Sequence, residues 1–453
     1  MQKITNRAWG SEIKPIVFLG LPLISAQLAQ TAINVTNTLV LGRLGADELA
    51  ASVLGWQLFF VVWIFGTGFG FAVMPFVASA ASSKDERGVS RFAQMGLWLS
   101  LVYSAIVFLP LWFSEYIFLA LKQEANIAKL AGEYTRILQL SMFPQLAIIV
   151  LRSWLGGLQR PNIVVFALIG GAIINLFFNL VFVFGYFGFP PLGIQGAAFA
   201  TLIAMLCVVI FLYLFCTKYP SLKQHKLAHG ILRIDATALK DVFRLGWPIG
   251  ITVVAEVGMF TATSIMMGWL GAFELAAHGI AVQLIGLSFM IPLGLSAAAT
   301  IRVGWAYGIQ DRASATRAIW TAVIIGLGFA FLSAFAFIQY PEFIVGLYLD
   351  TSQADSSKVL TYGVSFLAVA AAFQIVDSLQ ALANGSLRGV KDTRVPMLLA
   401  LISYWFIGIP IAYSLTFTFN MGGIGIWWGL AAGLASAALL LSLRLYRQVR
   451  RIG

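Results

Sequence analysis

Apolar runs of roughly twenty residues recur twelve times along this chain, the length a helix needs to cross about 30 Å of hydrocarbon. Their approximate limits are 15–40, 53–80, 92–114, 134–157, 163–186, 192–216, 242–267, 277–300, 317–339, 361–386, 395–417 and 424–443. In lipid a helix satisfies its own backbone groups, so each run is expected to be helical. The runs lack the ten-residue alternation of an outer-membrane barrel. Composition agrees, since 60% of the 453 residues are hydrophobic and only 10% are charged. The expected fold is an all-α polytopic membrane protein with twelve transmembrane helices.

Charge then orients the spans. Of 29 basic residues, only Arg43, Lys122, Lys129, Arg136 and Lys358 fall on one side of this map. The remaining 24 fall on the other, together with both termini. Basic loops face the cytoplasm, so both termini are expected inside a bacterial inner membrane. The net charge of +11 is explained by orientation, and no nucleic-acid partner is expected. The N-terminal residues lack the pattern of a cleavable signal peptide, and the first span is expected to act as an uncleaved insertion signal.

The two halves repeat. Residues 19–51 and 245–277 align at a shift of 226 without a gap, with 12 of 33 positions identical. The repeat includes Leu19-Gly20 with Pro22 against Leu245-Gly246 with Pro248. Six spans per half is an even number, so the halves share one orientation and two pseudo-symmetric six-helix lobes follow. The expected domains are an N-lobe at 1–217, a basic linker at 218–241 and a C-lobe at 242–453. Duplicated six-span halves are a recurring transporter plan, whereas a shared folding unit without transport is the plainer reading.

Charges inside spans are costly and single out candidates. Glu256 in span 7 and Asp377 in span 10 are the two acids away from loops and membrane edges. Neither has a basic residue within two turns of its own helix, and the map places no Arg or Lys at mid-membrane. An intramembrane carboxylate by default marks an ion or proton site facing a cavity. It can bind Na⁺, a proton or a cationic substrate, or be a neutral hydrogen-bonded packing group. Asn175 and Asn179 share a face of span 5 at i and i+4. Asn34 and Asn37 lie at i and i+3 on span 1, after Gln27 and Gln30, and Gln30 aligns with Glu256 under the repeat. Such amides serve either as interhelical hydrogen bonds or as the lining of a polar cavity. Pro22 is a hinge candidate in span 1, with static shape as the alternative. His278 suggests a structural or solvated residue, and His225 and His229 belong to the solvated linker. Cys207 and Cys216 read as packing residues without a disulfide. No phosphate-binding loop, zinc motif or nucleophile elbow is present, so the sequence indicates neither an ATP motor nor an enzyme, and no cofactor beyond a coupling ion.

Several stretches together resemble the multidrug and toxic compound extrusion (MATE) family, in its NorM-type branch. They are Leu21-Pro22 with Gln27 and Gln30, Gly42-Arg43-Leu44-Gly45, Trp247-Pro248 through Glu256, Ala276-Ala277-His278 and Ser296 through Gly304. Asp377-Ser378-Leu379-Gln380 leading into Gly385 through Gly389 and Lys391-Asp392 resembles the family most specifically. The resemblance covers essentially the whole chain. It implies a monomeric exporter of organic, cationic compounds driven by H⁺ or Na⁺, working by alternating access. It places cation coupling, including any bound Na⁺, at Glu256 and Asp377, and the N-lobe polar pair at Asn175 and Asn179. Two residues depart from the family pattern. Asn37 stands where relatives usually carry Asp, which removes a protonatable group. Phe373 stands where relatives often carry Tyr, which removes a hydroxyl ligand. Coupling through Glu256 and Asp377, with H⁺ ahead of Na⁺, is the expectation. A lipid or lipid-linked-sugar flippase of related fold is the alternative; a membrane-embedded enzyme and a simple channel fit less well.

Overall fold

The structure, a computed structural model, describes residues 12–349 and 355–452. Lys3 and Arg7, counted above among the inside basic residues, lie outside them. The described residues form twelve helices long and apolar enough to cross a membrane. They are α1 (Ile13–Leu41), α2 (Ala46–Ser82), α3 (Glu86–Trp112), α4 (Ala125–Gly157), α5 (Asn162–Phe184) and α6 (Gly193–Lys218). The second six are α7 (Ala236–Leu270), α8 (Ala272–Gly308), α9 (Arg312–Gln339), α10 (Ser356–Gly389), α11 (Arg394–Thr418) and α12 (Gly423–Val449).

Most helices run past the apolar limits read from sequence. The apolar run 53–80 sits inside the 37 residues of α2, and 277–300 inside the 37 of α8. Hydropathy reports only the part that prefers lipid, while the backbone ladder continues until a cap stops it. Aspartates start three of the helices. Asp85 accepts from the backbone N–H of Gly88 at 2.9 Å, Asp235 from that of Ala238 at 3.0 Å and Asp311 from that of Ser314 at 3.0 Å. Each satisfies a donor that the first turn cannot pair internally. Prolines 22, 75, 110, 248 and 292 are accommodated inside continuous helices. α11 differs, with π-helical turns at Ile402–Gly408 and Ser414–Thr418 on either side of Pro410.

The chain divides into two compact units, Ser25–Gly250 and Met1–Ile24 with Ile251–Gly453. The cuts fall inside α1 and α7, at positions separated by the 226-residue repeat. Linker 218–235 therefore belongs to the first unit, as does the start of α7. Within that unit α2 packs on α4, and α5 on α6. Within the other, α8 packs on α10 and α11 on α12, the same pairings moved on by six helices.

Glycines mark where the exchanged helix starts are held. A Cβ on Gly68 of α2 would lie 2.4 Å from the carbonyl oxygen of Gly246 and 2.5 Å from the nitrogen of Gly250. Its repeat partner is Gly294 of α8, where a Cβ would come within 2.4 Å of Cγ1 and 2.9 Å of N of Ile24. Bare backbone at both positions lets helices approach more closely than any side chain permits. The start of α1 is further fastened by Glu12, which accepts from Arg302 of α8 at 2.9 and 3.0 Å. That two-pronged geometry favours guanidinium over ammonium.

Candidate functional site

In the unit containing most of α7–α12, Glu256 comes from α7 and Asp377 from α10. The two carboxylates act electrostatically on each other. Asp377 is 7% exposed, and its Oδ1 has no hydrogen-bond partner. Glu256 is half-buried and feels the charge of Arg388, in the last turn of α10. Arg388 also donates from Nη2 to Ser296 Oγ of α8 at 3.3 Å. Two acids and one guanidinium thus share a single electrostatic environment inside the helix bundle.

The π-helical turn of α11 contributes two rings. Tyr404, fully buried, accepts from Gln380 Nε2 at 2.6 Å and lies within the field of both carboxylates. Trp405 donates from Nε1 to the carbonyl oxygen of Ala255 at 3.2 Å, which ties α11 to the residue preceding Glu256. A π turn widens the helix and rotates neighbouring side chains away from α-helical register, which brings Tyr404 and Trp405 together at this wall. One turn before Asp377, Phe373 is fully buried and packs near Phe260 and Trp427, at ring separations of 6.0 and 5.9 Å. Gln374 accepts from Ser288 Oγ at 2.9 Å and leaves its buried Nε2 unpaired.

Tyr404 and Gln374 are not among the residues read from sequence, and Gln380 and Arg388 enter there only within the stretch that resembles the family, without a role. Arg388 had been counted with a basic loop. Its spacing of 11 residues from Asp377 is close to three helical turns, so the two share a face of α10. That periodicity was the available signal. Arg152, near the end of the span read at 134–157, is a buried residue of α4, which donates to Gln27 Oε1 and lies 5.8 Å from the Phe71 ring. A cation can thus occupy a span when protein, and not lipid, surrounds it.

The other unit holds a polar knot. Asn37 of α1 donates to Thr201 Oγ1 of α6 at 2.9 Å. Asn179 of α5 donates to Asn37 Oδ1 at 2.9 Å and to Asn175 Oδ1 at 3.1 Å. Asn175 and Asn179 are fully buried, and Asn37 nearly so. Gln30 and Asn34 do not join: both are half-buried, and neither side chain forms a hydrogen bond among the described residues. Pro22 lies in α1 two residues before the cut between the compact units.

His278 is 1% exposed, sits 3.1 Å from Ser264 Oγ and meets the Trp427 ring edge-on, so of the structural and solvated readings it takes the structural one. His225, placed in a solvated linker, packs edge-on against Trp154. Cys207 and Cys216 are unbridged.

The MatE family model matches residues 22–181 and again residues 248–414, once in each half, starting at the two repeat-related prolines. The chain belongs to the MatE family. Relatives include the probable multidrug resistance protein NorM of Rhizobium meliloti (strain 1021), 43% identical over 448 residues, covering 99% of this chain and 96% of the relative. NorM of Agrobacterium fabrum is 42% identical over 445 residues, covering 98% and 96%. The crystal structure of the eukaryotic MATE transporter AtDTX14 superposes with a TM-score of 0.87 at 21% identity, covering 98% of both chains. This is therefore a multi-pass membrane protein of the MATE/NorM multidrug efflux family, with the twelve-helix fold read from its sequence.

Proposed function

We propose that this MATE protein is an antiporter that exports organic, cationic drugs and takes its energy from a cation returning through Glu256 and Asp377. The observation that carries the proposal is the unpaired, buried Oδ1 of Asp377, which feels the charge of Glu256, itself acted on by Arg388. A buried carboxylate oxygen without a partner is costly unless a proton or metal ion visits it. With both acids ionised, this group and Arg388 carry a net charge of −1. One proton brings the cluster to neutrality, which a low-dielectric site favours. A bound Na⁺ would instead need several oxygen ligands around Asp377, and Phe373 offers no hydroxyl. H⁺ is therefore the preferred coupling ion.

In this scheme the cation enters from outside, binds at Asp377 and Glu256, and alters the packing of α7, α10 and α11. Drug affinity falls and the drug leaves outward. Pro22 lets α1 bend during alternating access. The protein acts as a monomer in the bacterial inner membrane with both termini cytoplasmic. Gln30 and Asn34 are the polar groups left to line a cavity in the other lobe, while Asn37, Asn175 and Asn179 hold its helices together and Asn37 gives no proton switch.

The test is transport of a fluorescent cationic dye in proteoliposomes under an imposed pH gradient or an imposed Na⁺ gradient. Dye movement should follow the pH gradient and disappear in Asp377→Asn. Coupling unchanged in that variant would remove Asp377 from the mechanism, and movement driven only by Na⁺ would replace the proton.

A further inference from the structure

A cavity of about 390 Å³ opens between α3, α4, α6 and the linker, wholly within the unit 25–250. Its walls are apolar, with Leu97 on α3, Leu151 on α4 and Ile210 and Leu214 on α6. Ile231 and Leu232 of the linker close one end. Ile210 and Leu214 are exposed on α6, and Leu232 is 83% exposed. Such side chains at the surface of membrane-crossing helices face hydrocarbon.

The linker is fastened there by one face of α3. Arg91 pairs with Asp235 at 3.3 Å, Gln94 donates to the carbonyls of Leu227 and His229 at 2.8 and 3.0 Å, and Trp98 donates to that of Ile231 at 2.7 Å. Positions 91, 94 and 98 share a helical face, and 98 lies about 10 Å further along α3 than 91. The linker therefore dips along α3 as a hairpin. Its deepest point is Ile231-Leu232, and it returns to Asp235 at the shallower turn.

Charge stands just above this apolar mouth. Arg233 follows Leu232 directly; it is exposed, and its side chain has no ion pair or hydrogen bond among the described residues. On α6, Ile210, Leu214 and Lys218 form an i, i+4, i+8 stripe, so Lys218 sits one turn beyond the groove on the same face. Lys218 is likewise exposed and unpaired among the described residues. An apolar slot open to lipid, with two free cations at its rim, is complementary to one molecule class.

We propose that this groove holds one acyl chain of an anionic phospholipid, with the phosphate held by Lys218 and Arg233. An acyl chain leaving bulk lipid for the slot exchanges one hydrocarbon environment for another, so affinity there comes from packing contacts. Selectivity comes from the headgroup, because basic residues beside the membrane attract anionic lipid. The bound lipid is a ligand that braces the linker against α3, α4 and α6, not cargo, and its binding does not depend on the transport scheme above.

Native mass spectrometry of the purified, delipidated protein offered equal amounts of dioleoyl phosphatidylglycerol and dioleoyl phosphatidylcholine tests this directly. The protein should retain one phosphatidylglycerol with about tenfold preference. The double variant Lys218→Gln/Arg233→Gln, confined to the surface, should bind the two lipids equally. Val209→Trp, which fills the groove, should lose retention of both. A preference that survives the double variant would overturn the headgroup assignment. Undiminished retention by a folded Val209→Trp, or displacement of lipid by a cationic dye, would overturn the acyl-chain assignment; should Val209→Trp fail to fold, the double variant decides.

Discussion

Asn179 donates to Asn37 across 2.9 Å, and Asn37 in turn donates to Thr201, so a residue of α1 is clasped between α5 and α6. The clasp uses both ends of the Asn37 amide. An ionised aspartate there could accept from Asn179 but could not donate to Thr201, whose hydroxyl is already committed to the carbonyl of Ala197; it would need a proton to do so. Asn37→Asp should therefore add a protonatable group, and dye transport should acquire a second pH-dependent step in its rate profile. Asn37→Ala should lower stability by about 1–3 kcal/mol, because it strands buried polar partners. Thermal unfolding in detergent, read alongside transport, checks both.

Arg388 and Glu256 predict an asymmetry between single and double variants. Arg388→Gln removes the positive charge that acts on Glu256 among the described residues, and should lower stability measurably. Glu256→Gln/Arg388→Gln should be less unstable than Arg388→Gln alone, although inactive in transport. A double-mutant cycle by thermal unfolding measures the coupling; additive losses would mean that the two charges do not interact.

Gly68 and Gly294 should not tolerate alanine. The added Cβ meets backbone at 2.4 Å in the first case and both side chain and backbone of Ile24 in the second. Each substitution should cost about 1–3 kcal/mol through forced helix displacement. Gly170 of α5 is the control: nothing lies within 4 Å of its Cβ position, so Gly170→Ala should be neutral or slightly stabilising.

Acid should loosen the linker before it unfolds the bundle. The Asp235 carboxylate is held below the usual carboxylate range, first by the backbone N–H of Ala238 and then by Arg91. A depressed folded value means that its stabilising contribution is present above the unfolded value, near pH 4, and is lost as pH falls through the folded one. Asp235→Asn should abolish that acid sensitivity. Hydrogen exchange at residues 227–238, followed from pH 6 to pH 3, reports it. Sensitivity unchanged in the variant would assign the transition to another carboxylate, such as Asp311, whose range is lowered too, with hydrogen bonds from Ser314 and the charge of Arg317 outweighing its partial burial.

Much of the molecule was legible from its residues. Twelve spans follow from the cost of exposing backbone to lipid, a one-dimensional property that hydropathy reads directly. The repeat was equally plain, because residues 19–51 and 245–277 remain alike, and the family model then matched each half. Glu256 and Asp377 stood out as acids in apolar surroundings. The i, i+4 spacing of Asn175 and Asn179 put both on one face, and the structure adds the bonds between them.

Sequence alone determined which segments cross the membrane, that they form two related halves, and which side chains are too polar for lipid. Only the tertiary structure decided who meets whom. It brought Arg388 to Glu256, put Tyr404 and Trp405 on a π turn beside them, and buried Arg152 against Gln27. It also cut the compact units inside α1 and α7, where bare glycine backbone lets a helix start pack away from the rest of its half. The physical reason is that burial in lipid depends on each residue's own chemistry, whereas pairing depends on distances between helices far apart in the chain, which no local pattern encodes.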